Sequence, residues 1–372
     1  MHEKSYNGFA VRHLLWSNLR VHPLRSALSV LALCLQVFLL LLIVGLTSGA
    51  LADWRTRAEG VGADIIVQAP NSSIFFAFSK AVMPESLVET IAGLPGVRQV
   101  APVLIVVDQQ KLGVTYGIDY ERFTGLSDGF TFLAGGPFKH PDDVIADDLA
   151  AQSRKLRVGD MTTLMGREFR VSGIVVHGKG ARFFIPLATA QDVAGAEQRV
   201  SMFYVRSTGD TEAVRNELAK LIPGYNIRSM EEYSTLMTSS NLPELRPFIR
   251  SFVLIGVSVS FLVVLLTMHT MVLERTRDIG VLKALGSSRI EICGMILGET
   301  LVLVALGIVA GLLSTYGVVA VLHRTSPTLQ IAIEGAWIFR AILFTIAGAL
   351  AGALYPALRA AQSDPVDALA YE

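Results

Sequence analysis

Cysteine is nearly absent: the 372-residue chain holds two, Cys34 and Cys293, both in or beside apolar runs. That excludes a disulfide framework, and both thiols are expected as small buried hydrophobes. Charge is scarce too, at 17% of residues, and 32 Lys and Arg balance 32 Asp and Glu. There is no basic surplus to attract nucleic acid. No G-x-x-x-x-G-K-[ST] string occurs, so no phosphate loop is expected, and Gly178-Lys179-Gly180 reads only as a turn. G-x-S-x-G is missing, and the seven histidines include no pair at metal-ligand spacing. Neither a catalytic residue nor a metal site is assigned, and an enzyme is not expected. Any energised work would need a separate subunit to bind the nucleotide.

What the chain has instead is apolar length: 52% of residues are hydrophobic and the mean hydropathy is +0.49. Four runs stand out, at 26–52, 251–273, 300–322 and 341–358. Among them only the second holds an ionisable group of the His or acid–base kind, His269. The first is long enough to cross a core of about 30 Å at about 1.5 Å per residue. Ala50-Leu51-Ala52 resembles a signal-peptide cleavage site, but the run exceeds a signal's apolar region and reads as a retained anchor. Lys4, Arg12, Arg20 and Arg25 precede the first run against one acid, Glu3, and the segment 274–299 carries four more bases close to the membrane, Arg275, Arg277, Lys283 and Arg289. Positive residues stay inside, which puts both segments and the C-terminus in the cytoplasm and residues 53–250 outside. His269 and Glu299 fall near the cytoplasmic ends, where snorkelling accounts for them. The spans lack the chain of acids and bases that an ion-coupled transporter uses.

Residues 53–250 have the composition of an ordinary globular domain. The pattern predicts a strand at 63–68, a helix at 84–94 stopped by Pro95-Gly96, and a β-rich pair at 97–107 broken at Pro102. A strand runs into a helix at 144–156, another strand covers 169–176, and Asp210 caps a helix at 211–222. The irregular alternation predicts an α+β domain rather than a doubly wound sheet. Within it, Phe75, Phe76 and Phe78 follow a turn in an apolar stretch. They form either a core strand or a loop that meets a lipid-like substrate or the outer leaflet, and Phe183-Phe184 raise the same question.

Small-residue pairs recur in the spans: Gly45/Gly49, Gly307/Gly311 and Gly348/Gly352. Each permits close helix approach, within one chain or across a dimer, and the first pair is the candidate inter-subunit contact.

Between the second and third runs lies a short charged stretch. Glu274, Arg275, Arg277, Asp278, Lys283 and Arg289 surround Ile279, Leu282 and Leu285, spaced so that the apolar groups share one helical stripe. Gly286-Ser287-Ser288 then stops the helix. From charge and period alone this is either a docking helix or an interfacial anchor. The string from Glu274 to Gly286, with Arg289 and Gly298-Glu299, resembles the signature of FtsX/MacB-like permeases, membrane subunits of ATP-driven ABC transporters. Asp278 and Lys283 stand where Glu and Arg are commoner. Val144-Ile145-Ala146-Asp147, Val158-Gly159-Asp160 and Gly166-Arg167-Glu168-Phe169-Arg170-Val171 are similar to the periplasmic core domain of MacB-like permeases, and residues 363–372 resemble the family's ending.

The resemblance implies an integral membrane α-helical protein of four transmembrane helices, with a large extracytoplasmic α+β domain inserted between helices 1 and 2. Its parts are a cytoplasmic segment 1–25, spans at 26–52, 251–273, 300–322 and 341–358, the outer domain 53–250, a coupling loop 274–299, an outer loop 323–340 and a tail 359–372. It implies a bacterial inner-membrane permease, working as a homodimer with two copies of a cytoplasmic ATPase that binds ATP and Mg; this chain itself holds no cofactor. The cargo would be hydrophobic or amphipathic: a lipid, lipoprotein, haem, antibiotic or peptide. A second reading is FtsX-like signalling, in which the chain regulates an extracytoplasmic protein partner without transport.

Overall fold

The computed structural model describes residues 23–70, 72, 82–108, 113–236, 245–274 and 276–362. They fall into two compact units, one drawn from 1–48, 243–321 and 331–372, the other from 49–242 and 322–330. Helix α1 (Pro23–Gly60) supplies residues to both. Its apolar part ends at residue 52, yet the helix continues for two more turns. Ion pairs at helical spacing, Asp53–Arg57 at 3.1 Å and Arg55–Glu59 at 2.8 Å, support this polar extension. It stops where Gly62 takes a positive φ of 82°.

The outer unit continues with β1 (Ile65–Gln68), β2 (Met83–Pro84), α2 (Leu87–Ala92), β3 (Val97–Asp108), β4 (Gly113–Ile118) and α3 (Tyr120–Thr124). Then come β5 (Phe132–Gly135), β6 (Asp143–Asp147), α4 (Asp148–Arg154), β7 (Met161–Leu164), β8 (Arg167–Val175), β9 (Phe183–Pro186) and α5 (Leu187–Ala194). The last elements are β10 (Arg199–Val200), β11 (Met202–Ser207), α6 (Thr211–Leu221), β12 (Asn226–Ser229) and α7 (Met230–Leu236). One mixed sheet runs β12-β1-β11-β3-β4-β9-β6-β8-β5, with β7 on β8, while β2 and β10 pair separately. Two pairs are parallel, β4 with β9 and β6 with β8. The core joins Ile65, Val67, Phe203 and Val205 of the strands to Val88 and Ile91 of α2 and to Val214 and Leu218 of α6. Asp210 caps α6, its carboxylate accepting from the N–H groups of Glu212 and Ala213.

One expectation is corrected here and one open alternative is decided. Pro102 does not break a pair of strands: it lies inside the twelve-residue β3. The carbonyl of Val103 faces β11, where it accepts from Ser201, so Pro102 faces the other side, and pairing with β4 begins only at Val103. Its missing N–H therefore costs no ladder bond. Of the two alternatives left open for Phe183 and Phe184, the core strand holds: they are 5% and 0% exposed. Alternation along the parallel-paired β9 sends them to opposite faces of a sheet that is covered on both.

The membrane unit adds α8 (Leu245–Glu274), α9 (Thr276–Ala284), α10 (Arg289–Thr325) and α11 (Gly335–Gln362) to α1. Helices α1, α8, α10 and α11 are long and apolar enough to cross a membrane. Glycines set how closely they approach. A Cβ on Gly307 would stand 2.5 Å from Leu33 Cβ, and one on Gly311 2.8 Å from Val37 Cβ, so α10 packs on α1. A Cβ on Gly352 would stand 2.5 Å from the Phe261 carbonyl and one on Gly348 3.2 Å from that of Val257, so α11 packs on α8. Backbones cannot give way as side-chain ends do. Glu299 is 3% exposed, on the buried face of α10 with Ile296, Thr300 and Leu303, and so does not snorkel. Cys34 and Cys293 are only partly buried, and the Cys293 thiol donates to the Ala357 carbonyl at 3.4 Å.

Gly317, on the same helix as Gly307, has nothing within 4 Å of a built Cβ. Gly352→Val is expected to lose about 1–3 kcal/mol through overpacking, and Gly317→Val almost nothing. Thermal unfolding of both variants in one detergent measures the difference; equal stabilities would refute close packing at Gly352.

Candidate functional site

Helix α9 is bounded by built-in signals at both joints. At its end Gly286 adopts φ 96°, the Ser287 N–H donates to the Leu282 carbonyl at 3.0 Å, and the Gly286 N–H donates to the Lys283 carbonyl at 3.0 Å. This is a Schellman stop, which needs a residue free to take positive φ. Three residues later α10 starts with a capping box. The Ser288 N–H donates to Glu291 Oε2 at 2.8 Å and the Glu291 N–H donates to Ser288 Oγ at 3.3 Å. The corner is thereby fixed, with charged and apolar groups on its outside.

Of the residues read from sequence as the coupling set, Glu274 closes α8, and Ile279, Leu282, Lys283 and Leu285 lie on or just after α9. Ile279 is 4% exposed and anchors α9 in the apolar cluster of the membrane unit. Leu285 is 80% and Ile290 84% exposed, next to Arg289, so an apolar tip flanked by charge projects from the corner. Ile290 was missed in sequence reading, since nothing in the period separates it from the buried Ile292. Arg277 and Asp278 lie within α9; their side chains, like the whole of Arg275, fall outside the described residues. Phe75, Phe76 and Phe78 also lie outside them. Gly307/Gly311 and Gly348/Gly352 sit at helix contacts within the chain as described above, whereas Gly45 faces Ile331 in the connection before α11, and a Cβ on Gly45 would stand 3.0 Å from the Ile331 Cγ2. Gly49 is buried.

The outer unit contains a charged seam that sequence reading missed. Arg182, just before β9, donates from Nη2 to Asp53 Oδ2 at 3.0 Å and from Nη1 to Asp147 Oδ2 at 3.3 Å. Asp53 Oδ2 also pairs with Arg57 at 3.1 Å. Arg57 is 6% exposed, lies over the Trp54 ring, and its Nη1 donates to the Gly180 carbonyl at 3.4 Å. The Gly180 N–H returns a bond to the Arg57 carbonyl at 2.8 Å, and a Cβ on Gly60 would collide with the Gly178 carbonyl. Gly178-Lys179-Gly180, a turn by sequence, thus grips the end of α1. Lys179 donates to Ser127 Oγ at 2.9 Å and to the Gly129 carbonyl, tying the same turn to the loop after α3. The only local signal was the Asp53/Arg57 spacing directly after an apolar run.

Burial pushes the Asp147 carboxyl above the usual carboxylate range, opposed by the Ala150 N–H that it caps and by Arg182 and Arg57. Asp143 is also covered, but the Lys139 and His140 N–H groups and Arg170 outweigh that burial and hold it below the usual range. A separate open cavity of about 560 Å³ lies between α3 and α5. Tyr120 and Phe138, ring centroids 5.9 Å apart, form its aromatic wall, and Glu85, Asp119, Glu121, Lys139 and His140 surround them. Such a wall accepts an amphipathic group.

Residues 26–221 match the family described as MacB-like periplasmic core domain, and residues 250–365 that described as FtsX-like permease C-terminal. The chain is 22% identical to the uncharacterized ABC transporter permease YknZ of Bacillus subtilis, over 96% of this chain and 97% of that protein. It is 24% identical to the pyoverdine export ATP-binding/permease protein PvdT of Pseudomonas savastanoi, over 96% of this chain but only 58% of that longer protein. The periplasmic region of MacB from Actinobacillus actinomycetemcomitans aligns with 48% of this chain and 94% of its own, at 16% identity and a TM-score of 0.37.

Removing one member of a buried ion pair leaves its partner uncompensated, at about 3–5 kcal/mol. Arg57→Ala is expected to destabilise the outer unit by that order, read as a lower unfolding midpoint of the full chain in detergent. Arg55→Ala, whose pair with Glu59 is exposed, should shift it by less than about 1 kcal/mol. Equal shifts would show that the seam contributes nothing special.

Proposed function

Since this chain belongs to the FtsX-like permease family with a MacB-like periplasmic core domain, and is a multi-pass permease component of an ABC transporter, we propose that it converts ATP hydrolysis by a separate cytoplasmic ATPase into movement at the outer face. The observation that carries this reading is the corner between α9 and α10. A rigid stop and a capping box hold an exposed apolar tip, Leu285 and Ile290, beside charged residues. An exposed apolar tip on a fixed turn suits the groove of a folded partner, because its burial drives association and the charges set orientation.

In this reading the segment 274–289 docks on the ATPase, with Glu274, Arg275, Arg277, Asp278, Lys283 and Arg289 as the polar rim. Two ATPase copies bind ATP and Mg and close on each other, and two copies of this chain face each other across the membrane. The N- and C-termini and the docking corner lie in the cytoplasm of a bacterial cell, and the outer unit lies beyond the inner membrane. The cargo is hydrophobic or amphipathic and is taken up at the outer face. The cavity beside Tyr120 and Phe138 is a candidate place for such a molecule, because its wall is aromatic and its surround charged.

Leu285→Asp puts a charge where apolar burial is required and leaves the buried anchor Ile279 in place. Co-purification from native membranes with a tagged chain is expected to recover an ATPase with the wild type and at least about tenfold less with the variant, the effect of 1.4 kcal/mol. Recovery of no ATPase with either chain would overturn the proposal.

A further inference from the structure

Residues 322–330, the end of α10 and the first part of the hairpin that leads to α11, belong to the outer unit. Arg182 Nη2 donates to the Thr328 carbonyl in it at 2.9 Å, while the same guanidinium holds Asp53 of α1 and Asp147 at the start of α4. Three segments distant in sequence therefore meet on one side chain. Arg182 and Asp53 are each 15% exposed and Asp147 2%. The acceptors are fixed in advance. Asp147 Oδ1 caps the Ala150 N–H at 2.6 Å, the Asp147 N–H donates to the Arg182 carbonyl at 2.8 Å, and Arg57 holds Asp53 from the other side. The hairpin is itself a closed turn, with the Leu329 N–H donating to the Ser326 carbonyl at 2.9 Å.

A planar fork of five N–H donors can serve three acceptors at once, which a lysine ammonium on a flexible stem matches poorly. Buried ion pairs are weak devices for stability, since apolar replacements often do as well; their attested use is to fix register between elements. Here the elements registered are the outer end of the first spanning helix, the sheet, and the connection between the last two. We infer that Arg182 is a positioning residue that makes these three shift as one body when the ATPase turns over. This rests on the ATP-driven reading above and adds to it the place where the hairpin is held.

The test uses the full chain reconstituted in nanodiscs with its ATPase, with Cys34 and Cys293 replaced by Ala and spin labels at the exposed positions Leu133 and Arg324. Electron-spin distances are compared without nucleotide and after trapping with ATP and vanadate. Wild type is expected to give one narrow distance in both states. In Arg182→Gln and in Arg182→Lys a displaced population is expected to grow by about 2- to 30-fold on trapping, the range that coupling changes of 0.5–2 kcal/mol allow, while ATP hydrolysis persists. Asp53→Asn, which removes one acceptor and keeps its shape, should act in the same direction and serves if Arg182 variants fold poorly. A wild-type hairpin that separates on trapping, or an Arg182→Gln variant that stays narrow, overturns the inference. If no ATPase binds any variant, the functional reading fails on its own. The latch is then judged by the nucleotide-free distances, where widening in Arg182→Gln supports it and an unchanged width sinks it.

Discussion

A charge removed from water must be answered by an opposite charge, and the end of α1 is built around that requirement. Asp53 and Arg57 follow the apolar run by one and five residues, where hydration is already incomplete, and each is enclosed. They answer one another along the helix, then recruit Arg182 and Asp147 across it. Gly60 is a consequence: a Cβ there would stand 1.8 Å from the Gly178 carbonyl, so only glycine lets the turn close on the end of α1, while Gly178 and Gly180 supply the positive φ of 102° and 57° that the turn needs. The outer unit thus holds the end of α1 through hydrogen bonds of defined direction as well as through buried apolar groups such as Leu51 and Ala58.

Within the membrane unit the opposite solution holds. Lipid offers no hydrophobic reward for helix association, so contact area and close approach decide. Gly307 and Gly311 seat α10 on Leu33 and Val37, and Gly348 and Gly352 seat α11 on the α8 backbone. Among the polar contacts there, the hydroxyls of Ser29 and Thr267 meet at 2.8 Å. Directional charge in one unit and small residues in the other divide the labour of holding α1.

Much of this was legible from the sequence. The four helices follow from apolar length, and the α9 stop from Gly286, because only glycine takes that backbone conformation readily. The cap at Asp210 was visible because a cap is a local event. Pro102 misled because its harm depends on which side of the strand is paired, a fact about β4 and not about the proline. Glu299 misled for a related reason: proximity to a span's end says nothing about which helix face is covered. Of the seam only the i,i+4 spacing of Asp53 and Arg57 on α1 was visible; Asp147 and Arg182 come from distant parts of the chain, and each alone looks like an ordinary surface charge. The tip at Ile290 escaped because exposure of an isoleucine beside a buried one two residues on is settled by the helix phase of α10.

The strand order of the outer sheet carries a consequence for how the chain is made. β1 is flanked by β11 and β12, so the first strand to emerge from the ribosome waits for the last two before its ladders exist. Synthesis is vectorial, and long-range pairing is paid for late. Thr328 follows Arg182 by 146 residues, with α8, α9 and α10 between them. During biogenesis the sheet can close while the guanidinium still lacks its hairpin acceptor, and the bond to Thr328 forms only after the third apolar helix has been delivered. The outer unit is therefore the first part of the protein to begin folding and among the last to be finished, with the insertion of two helices intervening.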